Sequence, residues 1–454
     1  VNVARGKRLL ALVFLLTLPL VTPRIRAADE IQYYASLRSL VFDHDLDFGN
    51  EYLHFYERDP AGLAGFKATF LDRREPGSGR YINFAPLGAA LLWSPFFLLA
   101  HGGVLVARTL GSSLAADGFS YPYLAAVSFA SALYGFIALL LIHDLLLREG
   151  GFPPTVATAS VVALWLATPV LYYMTIAPGF GHAPSLFAVS LLVWLAFAAR
   201  RSGRVRDFFL AGLAGGLAGF VREQDVLFLL LPAGLIAWQA LSRRSWRASL
   251  GRGSALALGT ALALVPQLVA YRALTGAWGP SKLVMRKMTF TSPHLLAVLF
   301  DPGHGLFLWS PILLLAALGL GLLVAQKRDS AFTLLALALV AQVWINGSIE
   351  SWQLAGAFGS RRFIAATPLF AFGLAAAFTA LERKRGSLAV VALVALSAWW
   401  NLSLMIQFGL KLMDRQQLEW PRVAVSQFSE VPRHLGRAAW LFVSDRERLA
   451  KEGP

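Results

Sequence analysis

The chain has 454 residues, of which 57% are hydrophobic and only 15% charged, with a mean hydropathy of +0.58. A soluble protein carries about 25% charged residues, so this composition excludes an ordinary soluble enzyme. No cysteine is present, which excludes disulfides, thiolate metal sites and a cysteine nucleophile. The formal charge of +15 sits largely in short loops between apolar runs, as the positive-inside rule expects, and nucleic acid is not an expected partner.

In chain order, Arg5, Lys7 and Arg8 precede the apolar run "LLALVFLLTLPLVTP". A cleaved signal peptide is one reading; Arg24 and Arg26, where cleavage would fall, argue for a retained membrane segment. Further apolar runs lie near 86–108, 123–147, 154–174, 182–199, 208–221, 226–241, 253–274, 306–326, 331–346, 362–381 and 387–406. They predict an all-α polytopic membrane protein. The basic loops at 200–206, 243–252, 326–328 and 382–385 are expected on the cytoplasmic side. That parity works only if one early run does not cross. The run 86–108, with Pro86, Pro95, His101 and a glycine pair, is expected to be a juxtamembrane or re-entrant element. About 11 transmembrane helices remain, with the N-terminus inside. The expected organisation is a transmembrane domain over 1–406, with a large first extracytoplasmic loop at 24–122. A short extracytoplasmic tail over 407–454 follows.

The first loop holds much of the acid. Residues 30–42 carry Ile31, Tyr34, Leu37 and Val41 at helical spacing, predicting an amphipathic juxtamembrane helix. Asp43, Asp45 and Asp47 have the spacing of a calcium loop. Phe48 and His54 stand where that loop needs Gly and Glu, so a turn is expected and a divalent metal is not.

Several stretches together resemble bacterial integral-membrane glycosyltransferases of the GT-C class, relatives of protein O-mannosyltransferases and lipid A aminoarabinose transferases. They are "ADEIQYYASLRSLVFDHDLDFGNEY", "NFAPLGAALLWSPFFLLAH", "GFGHAPSLF", "LAGLAGGLAGFVREQDVL", "LFDPGHGLFLWSPILL" and "WQLAGAFGSRRFIAATP". The resemblance implies a GT-C-like fold in the bacterial inner membrane, with the active site facing the periplasm. It implies transfer of a sugar from a polyprenyl-phosphate donor, with inversion, to a protein, lipid or glycan acceptor, and no further cofactor. It also implies an acid at the start of the first loop, a position that Asp29 matches. A polyprenyl-linked sugar flippase or transporter is the alternative, although paired repeats of broken helices are not evident.

Under that resemblance the polar residues of the outer side acquire roles. Asp29 is expected as general base, or as a helix cap, with its neighbour Glu30 as second candidate. Tyr33, one turn on, orients Asp29 or lies at the membrane interface. His182 contacts substrate or serves the fold. Arg222 lies between two runs of 14 and 16 residues, each about 21–24 Å long as a helix and so shorter than the ~30 Å hydrocarbon core. A charge at that depth needs a partner: Glu223 or Asp225, or a lipid phosphate. Arg361 and Arg362 stand outside against the positive-inside trend and suit a donor phosphate. His304 joins them as a further phosphate contact, and Arg222, Arg361 and His304 are expected to meet on one anion.

Overall fold

The computed structural model describes residues 2–354 and 356–446. The apolar runs fold as helices, and no strand forms among the described residues beyond an isolated bridge between Arg74 and Tyr81. Among the described residues, 8 helices are long and apolar enough to cross a membrane. They are Gly88–Thr109, Tyr121–Arg148, His182–Ser202, Glu223–Ser242, Trp246–Thr275, Ser330–Gly347, Arg361–Arg385 and Ser387–Gly409. Pro154–Leu166 and Ile312–Lys327 are shorter apolar helices. The fold is that of an all-α polytopic membrane protein whose first loop carries its own short helices.

Contacts divide the chain into two units, one of residues 1–12, 142–172 and 289–454, the other of residues 13–141 and 173–288. In the first unit, Ile312–Lys327 packs on Thr367–Arg385, and Pro154–Leu166 packs on both Thr367–Arg385 and Ser387–Gly409. The break after Leu166 is held from Ser387–Gly409: the Asn401 amide donates to the carbonyls of Leu166 (2.9 Å) and Thr168 (3.0 Å). The first is a helix-end carbonyl, which has no partner in its own helix; the second belongs to the bend that follows. The run expected at 306–326 is two helices, Leu306–Trp309 and Ile312–Lys327, because Pro311 cannot continue the first. The stretch expected as a tail contains a 25-residue helix, Trp420–Ser444.

The second unit holds the first loop and the helices that frame it. Val205–Val221 packs closely on Trp246–Thr275. Glycine makes that approach possible. A Cβ at Gly212 would run into the Leu256 carbonyl, and one at Gly259 into the Phe209 carbonyl. Small residues let membrane helices approach backbone to backbone. The contact fixes the end of Val205–Val221, and with it Arg222.

The first loop folds as Ala28–Arg38, a π-turn at Ser39–Asp43, and Gly49–Arg58. The acidic run is turn chemistry, as expected. Asp43 pairs with Arg38 and accepts from Asn50 (2.9 Å). Asp45 accepts from Ser39 (2.7 Å) and the Asp47 amide (3.0 Å). Asp47 accepts from the Gly49 amide (3.2 Å).

The segment with a central Pro95, expected as a juxtamembrane or re-entrant element, is one continuous helix of 22 residues, Gly88–Thr109. Proline removes the N–H that the carbonyl four residues back would receive. Here the Ser94 hydroxyl donates to that carbonyl, Leu91 O (2.8 Å), and the Tyr134 hydroxyl serves Leu92 O one residue on (2.9 Å). Side chains thus satisfy the groups that proline frees. The helix lies along the first-loop helix, with Tyr33 against Trp93, Tyr34 against Phe97 and Phe42 against His101. The link that follows returns to the same loop: Arg38 donates to the Asp117 carbonyl (3.1 Å) and Tyr34 to the Gly118 carbonyl. The expected topology therefore makes a direct prediction. A single cysteine at Gly111, in this cysteine-free chain, labels in whole cells with a membrane-impermeant maleimide. Labelling only after lysis would make Gly88–Thr109 a full crossing.

Candidate active site

The first-loop helix begins at Ala28, with Ala27 as its N-cap. Alanine offers no oxygen to the unpaired amides of the first turn. Glu30, at the third helical position, reaches back instead to accept from the amides of the cap residue Ala27 and of Arg26 before it (3.0 Å each). The capping considered for Asp29 is therefore done by Glu30, whose carboxyl is engaged by those two amides. It is 4% exposed. Burial pushes its carboxyl up to about 7, against the opposing pull of the two amides and Arg26.

A pH prediction follows from this. Between the ordinary value of 4.5 and about 7, the folded chain holds a proton on Glu30 that the unfolded chain has released. Stability then falls as pH rises through that window and levels off above it. Glu51, also raised to about 7 by burial despite Arg38, adds to the same slope. Glu30→Gln, which keeps an oxygen for the cap but cannot ionise, is expected to flatten part of the fall in Tm between pH 5 and 8. Thermal unfolding of the purified variant across that range checks it, and an unchanged slope would leave Glu30 without this role.

Asp29 occupies the second helical position and is half-buried. Tyr33, one turn further, lies among charges. Burial pushes its phenol up to about 12; the Arg222 guanidinium opposes this, while the carboxylates of Asp29, Glu223 and Asp225 add to it. All four charged groups are thus within electrostatic reach of one phenol. The loop before His182 closes on the same ring, since a Cβ at Gly181 would meet the Tyr33 side chain.

His182 is the first residue of His182–Ser202 and is 5% exposed. Its ring is flanked by Tyr173 (4.7 Å between centroids) and Phe180 (5.7 Å). Arg222 ends Val205–Val221 in an extended conformation (φ −149, ψ 121), which turns its side chain out of the helix. Its Nη1 donates to His182 Nδ1, and its Nη2 to Gln224 (3.4 Å). A guanidinium can only donate, so His182 Nδ1 carries no proton here.

One turn along both segments the pairing repeats. The Ser185 hydroxyl donates to Asp225 (2.5 Å), a residue with no exposed surface. Glu223 accepts from the Tyr271 hydroxyl. Both carboxylates feel the Arg222 charge through space. The neutralisation expected of Glu223 or Asp225 is therefore shared between them, without a direct ion pair among the described contacts.

The second unit thus brings together Asp29, Tyr33, His182, Arg222 and Glu223. Sequence reading missed Ser185 and Tyr271. Ser185 is three residues after His182, so helical spacing places both on one face. Tyr271 gave no local signal.

The other expected residues belong to the first unit. Arg361 and Arg362 open a short 3-10 turn, Arg361–Ala366, ahead of Thr367–Arg385, and are half-buried. His304 lies within electrostatic reach of Arg361 and Asp301. It is 1% exposed, stacked on Trp309 (5.1 Å, 7° between planes), and its Nε2 donates to the Ala357 carbonyl (2.8 Å). Burial foremost, with Arg361, holds its pKa below the usual histidine value. A neutral ring with its N–H committed to a carbonyl is a poor phosphate ligand. The Nε2 bond ties His304 to the loop at Ala357, and its Nδ1 has no hydrogen-bond partner among the described residues.

No protein-family model matches the sequence, and no curated protein matches it either. Solved structures do. ArnT from Cupriavidus metallidurans, bound to undecaprenyl phosphate, aligns at 15% identity with a TM-score of 0.53, covering 99% of this chain and 77% of that one. The Archaeoglobus fulgidus oligosaccharyltransferase AglB, in complex with an inhibitory peptide and a dolichol-phosphate, aligns at 12% identity with a TM-score of 0.49, covering 96% and 59%. The likeness to ArnT, a lipid A aminoarabinose transferase, gives this chain the fold of GT-C class membrane glycosyltransferases.

Proposed function

We propose that this protein is a membrane glycosyltransferase that moves a sugar from a polyprenyl-phosphate donor to an extracytoplasmic acceptor with inversion. The observation that carries the proposal is that a half-buried carboxylate, Asp29, and a histidine-held guanidinium, Arg222, both lie within electrostatic reach of the Tyr33 phenol in a chain of GT-C fold. In this reading the acceptor oxygen attacks the anomeric carbon. The bond from that carbon to the phosphate oxygen breaks, and the phosphate leaves with the electron pair. Asp29 takes the acceptor proton as its oxygen becomes bonded. Arg222 stabilises the charge that grows on the leaving phosphate, and His182 fixes the guanidinium by accepting one of its N–H groups. Tyr33, a phenol that burial keeps protonated, supplies a hydrogen-bond donor within electrostatic reach of both Asp29 and Arg222. Because no metal takes part in this scheme, activity is expected to survive chelation. The setting is the bacterial inner membrane, with the site facing the periplasm.

The test has two parts. Mass spectrometry of envelope lipids, glycans and glycoproteins from a deletion strain is expected to show a lost sugar, restored by the wild-type gene and not by Asp29→Asn. The purified protein in nanodiscs is then expected to transfer that sugar from its polyprenyl phosphate. An unchanged envelope profile, or restoration by Asp29→Asn, would sink the proposal.

A further inference from the structure

A second group of charges begins next to this site and serves none of the roles above. Tyr271, the partner of Glu223, lies near the end of Trp246–Thr275. One turn on, about 5 Å along the helix, a tight turn from the first loop sits on that end. The turn is closed by the Glu75 amide donating to the Arg80 carbonyl (2.8 Å) and by the Arg74–Tyr81 bridge. The Ser78 hydroxyl donates to the Leu274 carbonyl, and Gly77 lies so close to Thr275 that a Cβ would meet its carbonyl. The Ser281 hydroxyl donates to the Glu75 carboxylate (2.8 Å), tying the start of the next segment to the same turn.

These contacts gather Arg73, Arg74, Arg80, Lys282, Arg286 and Lys287, all exposed. The acid among them, Glu75, is 5% exposed and engaged by Ser281. Asp72 pairs with Lys67 instead. Arg74 lies over the Tyr81 ring (3.4 Å) and donates to the Leu71 carbonyl (2.8 Å). Asp45 lies within electrostatic reach of Arg80. Among the described residues none of the six cations is in an ion pair. The basic loops at 200–206, 243–252, 326–328 and 382–385 lie where the cytoplasm is expected; like Arg361 and Arg362, this cluster stands on the expected outer side, against that trend.

We infer that the 73–80 turn and the 282–287 segment form a docking surface for an acceptor that carries phosphate or carboxylate groups. The inference rests on the transferase reading, since it assigns the surface to the acceptor of that reaction. Two features favour an acceptor: the sign and density of the charge, and the continuity with Tyr271 at the site. An acceptor that must present its oxygen beside Asp29 meets this rim, and an anionic one is drawn to it.

The experiment uses the full chain in zwitterionic nanodiscs and inorganic polyphosphate as the anionic probe. The parent is expected to bind polyphosphate with an affinity that falls as salt rises. The triple variant Lys282→Ala/Arg286→Ala/Lys287→Ala is expected to bind at least tenfold more weakly, and Arg73→Glu/Arg80→Glu likewise. Both variants should bind undecaprenyl phosphate as the parent does. Equal polyphosphate binding by parent and variants would overturn the inference. So would loss of undecaprenyl phosphate binding, which would put the cations in the donor site. A difference seen only with phosphatidylglycerol nanodiscs, and not with polyphosphate, would assign the surface to lipid headgroups and overturn it too. Binding is read without turnover, so a parent that transfers no sugar would remove the transferase reading separately.

Discussion

Asp29→Asn is expected to lower the turnover number by about 10²–10⁴-fold, the range a positioned general base contributes, while leaving donor binding nearly intact. Asparagine keeps the shape of the side chain and cannot accept the proton. The helix cap is unaffected, because Glu30 forms it, so a fall in activity reads on chemistry rather than on folding. The informative comparison is kcat against the binding of undecaprenyl phosphate, measured on the same preparation. A variant that binds and transfers normally would leave Asp29 as an interfacial carboxylate. One that loses both together would point to a fold defect.

The second large effect is expected at Arg222. The leaving phosphate gains charge as the glycosidic bond breaks, so a cation beside it stabilises the transition state more than the bound substrate. Arg222→Ala is therefore expected to weaken undecaprenyl phosphate binding about tenfold and to lower kcat by a further 10²-fold or more, in line with the loss of one preorganised donor. Arg222→Lys is expected to restore binding more than turnover. An ammonium keeps the charge but cannot bond His182 and a phosphate in the fixed geometry of a guanidinium. Normal kcat in Arg222→Ala would move the anion site elsewhere. The same two measurements on Arg361→Ala/Arg362→Ala check the other cationic pair read from the sequence. Unchanged donor binding there would remove both from the donor site.

Much of this arrangement was legible before any coordinates. The apolar runs became helices because in hydrocarbon each backbone group must find its partner within its own segment. Arg222, bracketed by two runs too short to hide it, announced a cation that needed company. Its hydrogen-bond partners are His182 and Gln224, and the carboxylates of Glu223 and Asp225 feel its charge. Other features depended on details one or two residues wide. Whether Asp29 or Glu30 caps the helix turns on a start at Ala28, which periodicity cannot resolve. Pro95 looked like a breaker because nothing local shows Ser94 and Tyr134 taking over two carbonyls. Nothing near His304 in sequence shows that its Nε2 is committed to Ala357. Tyr271 and Ser185 stayed hidden because their partners are 48 and 40 residues away, and pattern within a segment carries no information about such pairs.

The double link between His182–Ser202 and the 222–225 turn bears on how a donor is recognised. Arg222 is held by His182 and Asp225 by Ser185, so cation and countercharge ride on one turn and are latched twice to the same helix face. Such a turn cannot swing toward an arriving headgroup without opening both latches and stranding a carboxylate in an apolar interior. If Arg222 receives the donor phosphate as proposed, its position is set during folding. Discrimination between lipid headgroups then resides in how well each one fits a stationary guanidinium, so donor association should be a single-step process whose rate rises linearly with donor concentration.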